Sequence, residues 1–193
     1  KLSRVDLRSG ERQWVTKEIE NDVDSWSVAK EGKRIAVLVN TNGHAQLKLF
    51  DNDLKPLPVP TLPAGLISSV SWHRNARDLA LAIESAESPG EVFSLDVETG
   101  AVTRWTQHPT VAGVKRPFVE AEPIIWRSFD GMTITGFMHR PNAKEFPGKR
   151  PVIIAIHGGP ESQARPGFRG RSNYWINERG YAVIYPNVRG SSG

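Results

Sequence analysis

The 193-residue chain contains no cysteine, which excludes a disulfide framework, a cysteine-ligated zinc site and a thiol nucleophile, without identifying a compartment. It also lacks any apolar run near the roughly 18 residues that a membrane helix needs. The longest candidates, Ile153 to Ile156 and Tyr181 to Tyr185, are strand-sized, so no membrane association is expected. His44, His73, His108 and His139 are scattered without the close spacing of a metal site, so packing or solvent roles are expected, with no metal and no cofactor. An initiator methionine and a charged-then-apolar leader are both missing, and Lys1 falls in mid-pattern, so further sequence is expected to precede it. The compartment stays open, the cytoplasm being favoured over the periplasm.

What is present is the composition of a folded protein, 38% hydrophobic and 24% charged. The net charge of +4 is unevenly placed: residues 1 to 120 carry 15 Lys+Arg against 16 Asp+Glu, and residues 121 to 193 carry 10 against 5. The nearest approach to a nucleic-acid groove is Arg165, Arg169 and Arg171 beside Phe168 and Tyr174, too small a cluster to imply a nucleic-acid partner.

The first part contains a repeat. Asp6, Asp51 and Asp96 are spaced by 45 and 45 residues, each preceded by an apolar residue, Val5, Phe50 or Leu95. Arg4 to Gly10 resembles Ser94 to Gly100, an apolar strand end running into aspartate and then a glycine that permits a tight turn. Between them, Ile35, Val37 and Val39 match Leu79, Leu81 and Ile83 at an offset of 44. Period-2 patterning that recurs at this interval points to four-stranded propeller blades over residues 1 to 120, between two and three of them. A β-sandwich with similar hairpins is the alternative, and the doubly matched spacing favours blades. Trp14, Trp26, Trp72 and Trp105 recur with the blades and are expected to pack in their cores, as are Trp126 and Trp175 elsewhere.

The pattern stops after Trp105, and Gln107 to Pro123 reads as a connector into a second domain from about residue 121. Ile124 to Phe129 and Met132 to Met138, joined by Asp130-Gly131, predict a hairpin. Pro151 to Ile156 predicts a strand covered on both faces, Ser172 to Arg179 a helix with Tyr174, Trp175 and Ile176 turned to a core, and Tyr181 to Tyr185 another buried strand. This succession is that of an open α/β sheet. In isolation, the Tyr181 to Tyr185 strand is expected to expose its edge and promote association, so a homo-oligomer is possible.

The feature that carries chemistry is His157-Gly158-Gly159-Pro160, directly after the apolar strand. Adjacent glycines at such a strand's C-terminal end let backbone N–H groups point into an open crevice, where ligands collect in open α/β sheets. Fixed N–H donors there suit a developing oxyanion, one donor being worth about 3 to 4 kcal/mol, and a plain glycine turn is the other reading. Arg189, at the end of the last strand, could bind a carboxylate or brace the glycine loop, and bracing is favoured. Ser162 is expected to be a cap or loop hydroxyl.

Taken together, the blades, Trp126 to Gly131, Pro151 to Pro160 and Gly180 to Gly193 resemble the prolyl oligopeptidase family, most closely its acylaminoacyl-peptidase and dipeptidyl-aminopeptidase-like branch. The resemblance implies a β-propeller followed by the first part of an α/β-hydrolase domain, the division falling near residue 120. It implies a serine peptidase acting on short peptides or acyl-peptides, with Gly159 N–H as an oxyanion donor, Gly158 giving access, and His157, Pro160 and Arg189 supporting the loop. In that family the nucleophile lies in a later G-x-S-x-G elbow, followed by the acid and the histidine, so all three are expected beyond Gly193 and the chain alone is expected to be inactive. Gly170-Arg-Ser172-Asn-Tyr174 and Gly190-Ser-Ser-Gly193 do not fit the elbow, and His157 is not the triad histidine. An esterase or lipase, or a non-catalytic binding chain, are the competing functional readings.

Overall fold

The computed structural model describes residues 1–109, 113–114, 117–159 and 161–192. It is nearly all β: a two-stranded hairpin, three four-stranded sheets and very little helix. Among the described residues, no helix is long and apolar enough to cross a membrane.

The aspartates spaced at 45 residues all terminate strands. The hairpin pairs β1 (Ser3–Val5) with β2 (Arg12–Trp14), and at its turn the Asp6 carboxylate accepts Arg8 N and Ser9 N, both at 2.8 Å. The second sheet is an antiparallel meander of β3 (Val23–Val28), β4 (Arg34–Thr41), β5 (His44–Asp51) and β6 (Pro56–Leu57). At the end of β5, Asp51 accepts Asp53 N and Lys55 N. The third repeats it with β7 (Leu66–Trp72), β8 (Asp78–Glu84), β9 (Glu91–Asp96) and β10 (Val102–Arg104), and Asp96 accepts Glu98 N and Thr99 N. A carboxylate oxygen mimicking a backbone acceptor is what makes aspartate the residue of choice at each turn. Register agrees too: β3 slips against β4 between Val23 and Ser25, and β7 slips against β8 between Ile67 and Ser69.

These two meanders share one core. Leu38, Leu47 and Leu49 from the first interlock with Leu79, Leu81, Phe93 and Leu95 from the second, all buried. Trp72 joins this core and donates Nε1–H to Ser27 O at 3.1 Å, tying β7 to β3. Trp26 and Trp105, by contrast, are 57% and 69% exposed, and Trp14, Trp126 and Trp175 are also exposed. The expectation of core tryptophans therefore holds for Trp72 alone, because strand alternation carries Trp26 to the outward side of β3.

The fourth sheet has the order β11-β12-β14-β13. Its hairpin, β11 (Glu122–Arg127) and β12 (Thr133–His139), turns at Asp130-Gly131 as expected. β14 (Ala182–Asn187) runs antiparallel to β12 and parallel to β13 (Val152–Ile154). Gly136 of β12 faces Pro186, and a Cβ there would lie 2.7 Å from Tyr185 O, so glycine permits this close approach.

Three expectations for this region need correction. β14 is an interior strand, so the open edge belongs to β13; Val152, Ile154 and Ile156 are accordingly exposed rather than covered. An apolar run records the potential for burial on both faces, but burial itself requires neighbours. The helix forms where expected, Ser172 and Asn173 leading into the π-helical turn Tyr174–Glu178, but only Ile176 is fully buried while Tyr174 and Trp175 stay exposed. Finally, β11 begins at Glu122, within the expected connector, of which residues 110–112 and 115–116 lie outside the described residues.

Candidate functional site

The C-terminal ends of the parallel strands β13 and β14 lie side by side, and the segments leaving them are stitched together. His157 Nε2 is 2.8 Å from Ser191 Oγ, whose hydroxyl donates to Val188 O at 2.6 Å, so the imidazole proton on Nε2 points to Ser191. Ser192 N donates to Ser162 O at 2.9 Å, and Asn187 Oδ1 accepts Ala164 N at 2.8 Å. Ser162 thus acts here through its carbonyl. Asn187, Ser191 and Ser192 hold Ala164, His157 and Ser162, the residues on either side of the glycines.

Arg189 itself points elsewhere. Its guanidinium pairs with Asp130 at the β11–β12 turn, lies 3.4 Å from Ser128 Oγ and sits 5.3 Å from the centre of the Phe129 ring. It holds the Asp130 carboxyl below its ordinary pKa. Bracing of the glycine turn by Arg189 is replaced by bracing through Ser191 and Ser192. A guanidinium at a strand end takes the nearest carboxylate, and the hairpin turn supplies one. Pro160, expected to support the same loop, lies outside the described residues.

Gly158 and Gly159 differ. Gly159 adopts φ +139°, where a side chain is strained, and a Cβ on it would sit 3.0 Å from Glu161 N. Gly158 has no such φ and open space where a Cβ would be. Backbone shape demands glycine at 159; at 158 only the close approach of another molecule would.

Beside this turn lies a cleft of about 440 Å³, bounded by Leu66 and Glu84 of the third sheet, His157, Arg165 and Arg169 of the loop, and Tyr185 of β14. Loop 161–170 bridges the sheets. Arg165 forms a bidentate pair with Asp24 at 2.6 and 2.8 Å, Asn40 Nδ2 donates to Gln163 Oε1 at 2.7 Å, and Glu84 accepts Phe168 N at 3.4 Å. Within the arginine cluster seen in the sequence, Arg165 is paired with Asp24, and Arg169 lies over the Tyr185 ring at 4.1 Å. No sequence signal marked Asp24, because its partner lies 141 residues away. Among the described residues, no group of three or more metal-ligating side chains is present.

His139, at the end of β12, is buried beneath this cleft. Its Nδ1 is 3.0 Å from Val119 O, and Arg169 Nε donates to its Nε2 at 3.1 Å, which requires the neutral ring with its proton on Nδ1. Burial pushes its pKa below the ordinary value of 6.5, with nearby Arg169 adding to the effect and the Val119 carbonyl opposing it. In the unfolded chain the ring takes up a proton near 6.5, so stability is full above that pH and declines as pH falls below it. The melting temperature is expected to drop between pH 7 and pH 5, and the drop to be smaller in His139→Gln. Equal slopes for the two proteins would remove His139 as the cause.

No family model matches the chain. Among curated proteins, dipeptidyl aminopeptidase BIII of Pseudoxanthomonas mexicana is 28% identical over 204 aligned residues, spanning 100% of this chain and 29% of that protein. Among solved structures, an acylaminoacyl peptidase of Pyrococcus horikoshii superposes with a TM-score of 0.74 at 23% identity, over 95% of this chain and 28% of its own. A puromycin hydrolase superposes with a TM-score of 0.82 at 19% identity, over 99% and 30%. The chain thus spans less than a third of the length of the proteins it matches.

Proposed function

We propose that the chain belongs to the prolyl oligopeptidase family of peptidases and forms part of a serine-type peptidase that hydrolyses short peptides or acyl-peptides through an acyl-enzyme, a reading supported by its similarity to dipeptidyl aminopeptidase BIII. The two meanders of residues 1–120 are propeller blades, and residues 121–193 begin an α/β-hydrolase domain. The observation that carries this reading is the strained Gly159 turn after β13, next to the cleft that His157 lines, with His157 and Ser162 on its two sides tied to Ser191 and Ser192. In the proposed reaction, Gly159 N–H faces the oxygen of the scissile carbonyl, and Gly158, without a side chain, leaves room for the substrate. Charge gathers on that oxygen in the tetrahedral intermediate, so a donor already fixed in place favours the transition state over the ground state. The nucleophilic serine, its histidine and its acid come from residues outside these 193, since neither Ser172 nor the Ser191-Ser192 pair has the elbow spacing. Ser191 is also committed to Val188 O and His157.

The test is a fluorophosphonate probe, which reacts with activated serines, followed by intact mass. The full-length protein is expected to gain one probe mass and the isolated 193-residue, 21.4 kDa chain none. Failure of the full-length protein to react would remove the serine mechanism. Reaction of the isolated chain would place the nucleophile among residues dismissed above.

A further inference from the structure

Arg169 has hydrogen-bonding capacity that the fold does not use. Its Nε–H is committed to His139 and its Nη2 to Arg165 O, while its guanidinium rests on the Tyr185 ring. Nη1 has no hydrogen-bond partner among the described residues and is not a fully buried atom, and Arg169 is one of the residues that line the cleft. No carboxylate among the described residues lies within ion-pair distance of it. Glu84, on the opposite wall, receives Phe168 N and abuts the backbone at Gly167, and Arg165 is already paired with Asp24.

Arg169 is partly desolvated, and burial lowers its pKa while Tyr185 and the Glu84 carboxylate across the cleft act against that, although a guanidinium stays protonated at any working pH. Tyr185 and neutral His139 hold the planar group in one orientation. That preorganisation reduces the entropy lost when the open edge receives a ligand. His139 adds no competing charge while its Nε2 is an acceptor.

We propose that Arg169 is a carboxylate-binding residue, whose open Nη1 edge takes a carboxylate of the bound peptide in the cleft beside the glycine turn. The inference rests on the peptidase reading for the identity of the ligand, and it adds a preference for anionic peptides. Two sources share this chemistry: the terminal carboxylate of a short peptide and an acidic side chain.

The experiment measures calorimetric binding to the full-length protein of N-methylated tripeptides that resist cleavage. The set comprises a free acid, its amide, and an amide bearing aspartate in place of the last residue. A charge-assisted contact of this kind predicts that at least one carboxylate-bearing peptide binds about ten-fold or more tighter than the plain amide. The free acid assigns the terminal carboxylate, and the aspartyl amide the side chain. Arg169→Gln is expected to abolish the difference between the carboxylate-bearing peptides and the amide, and Arg169→Lys to keep part of it. Equal binding of all three peptides to the wild-type protein would overturn the proposal without any variant being needed. So would an undiminished preference in Arg169→Gln. Fluorophosphonate labelling separates the two inferences: an unlabelled protein that keeps the preference loses the serine mechanism and retains the Arg169 site.

Discussion

Replacing Gly159 with alanine in the full-length protein is expected to lower kcat by about a hundred- to a thousand-fold, the loss seen when one oxyanion donor is removed. Two effects combine at this position. At φ +139° the added methyl strains the backbone, and at 3.0 Å from Glu161 N it displaces the next segment. Relief of either rotates the Gly159 peptide, and with it the N–H. Because the donor acts on charge that develops only in the transition state, KM is expected to change much less than kcat. Steady-state kinetics on a peptide amide substrate separates the two. A tenfold or smaller fall in kcat, or a loss confined to KM, would take Gly159 out of the oxyanion role. Fluorophosphonate labelling of the variant, slowed but present, would show that the nucleophile is intact.

Leu81→Ala is expected to destabilise the shared core of the two meanders by about 3 kcal/mol, within the range for fully buried leucines. Leu81 is 1% exposed and sits in β8 among Leu38, Leu79, Phe93 and Leu95. Those neighbours belong to two sheets that meet face to face, so the cavity cannot be closed by one strand moving alone. Urea unfolding followed by tryptophan fluorescence would register the change as a lower midpoint. A shift equivalent to less than about 1 kcal/mol would mean that the sheets can slide together to fill the space, contrary to the close packing of such cores.

Much of the fold was legible because it is local. The aspartate turns at Asp6, Asp51 and Asp96 are side-chain-to-backbone contacts spanning two to four residues, and their spacing survives intact in three dimensions. The Asp130-Gly131 hairpin is legible for the same reason. The helix over Ser172 to Arg179 was less so, because its apolar residues suit several faces, and only Ile176 finds a core.

The candidate site divides along the same line. His157, Gly158 and Gly159 follow an apolar run, and backbone freedom at a strand end is written into the residue types themselves. Their supports are not: Ser191 reaches His157 across 34 residues, Asp24 reaches Arg165 across 141, and Asn40 reaches Gln163 across 123. Arg189 could have served either the turn or a carboxylate, and the nearness of Asp130 decides it.

Patterning along the chain was therefore enough to assign strands, turns, the 45-residue repeat and the glycine turn, since each depends on neighbours in sequence. Packing in space settled which strand stands at the sheet edge, which tryptophans are covered, and what Arg165, Arg169 and Arg189 face. The reason is that burial and charge pairing depend on distances between segments remote in sequence, and no residue carries its partner's position within itself.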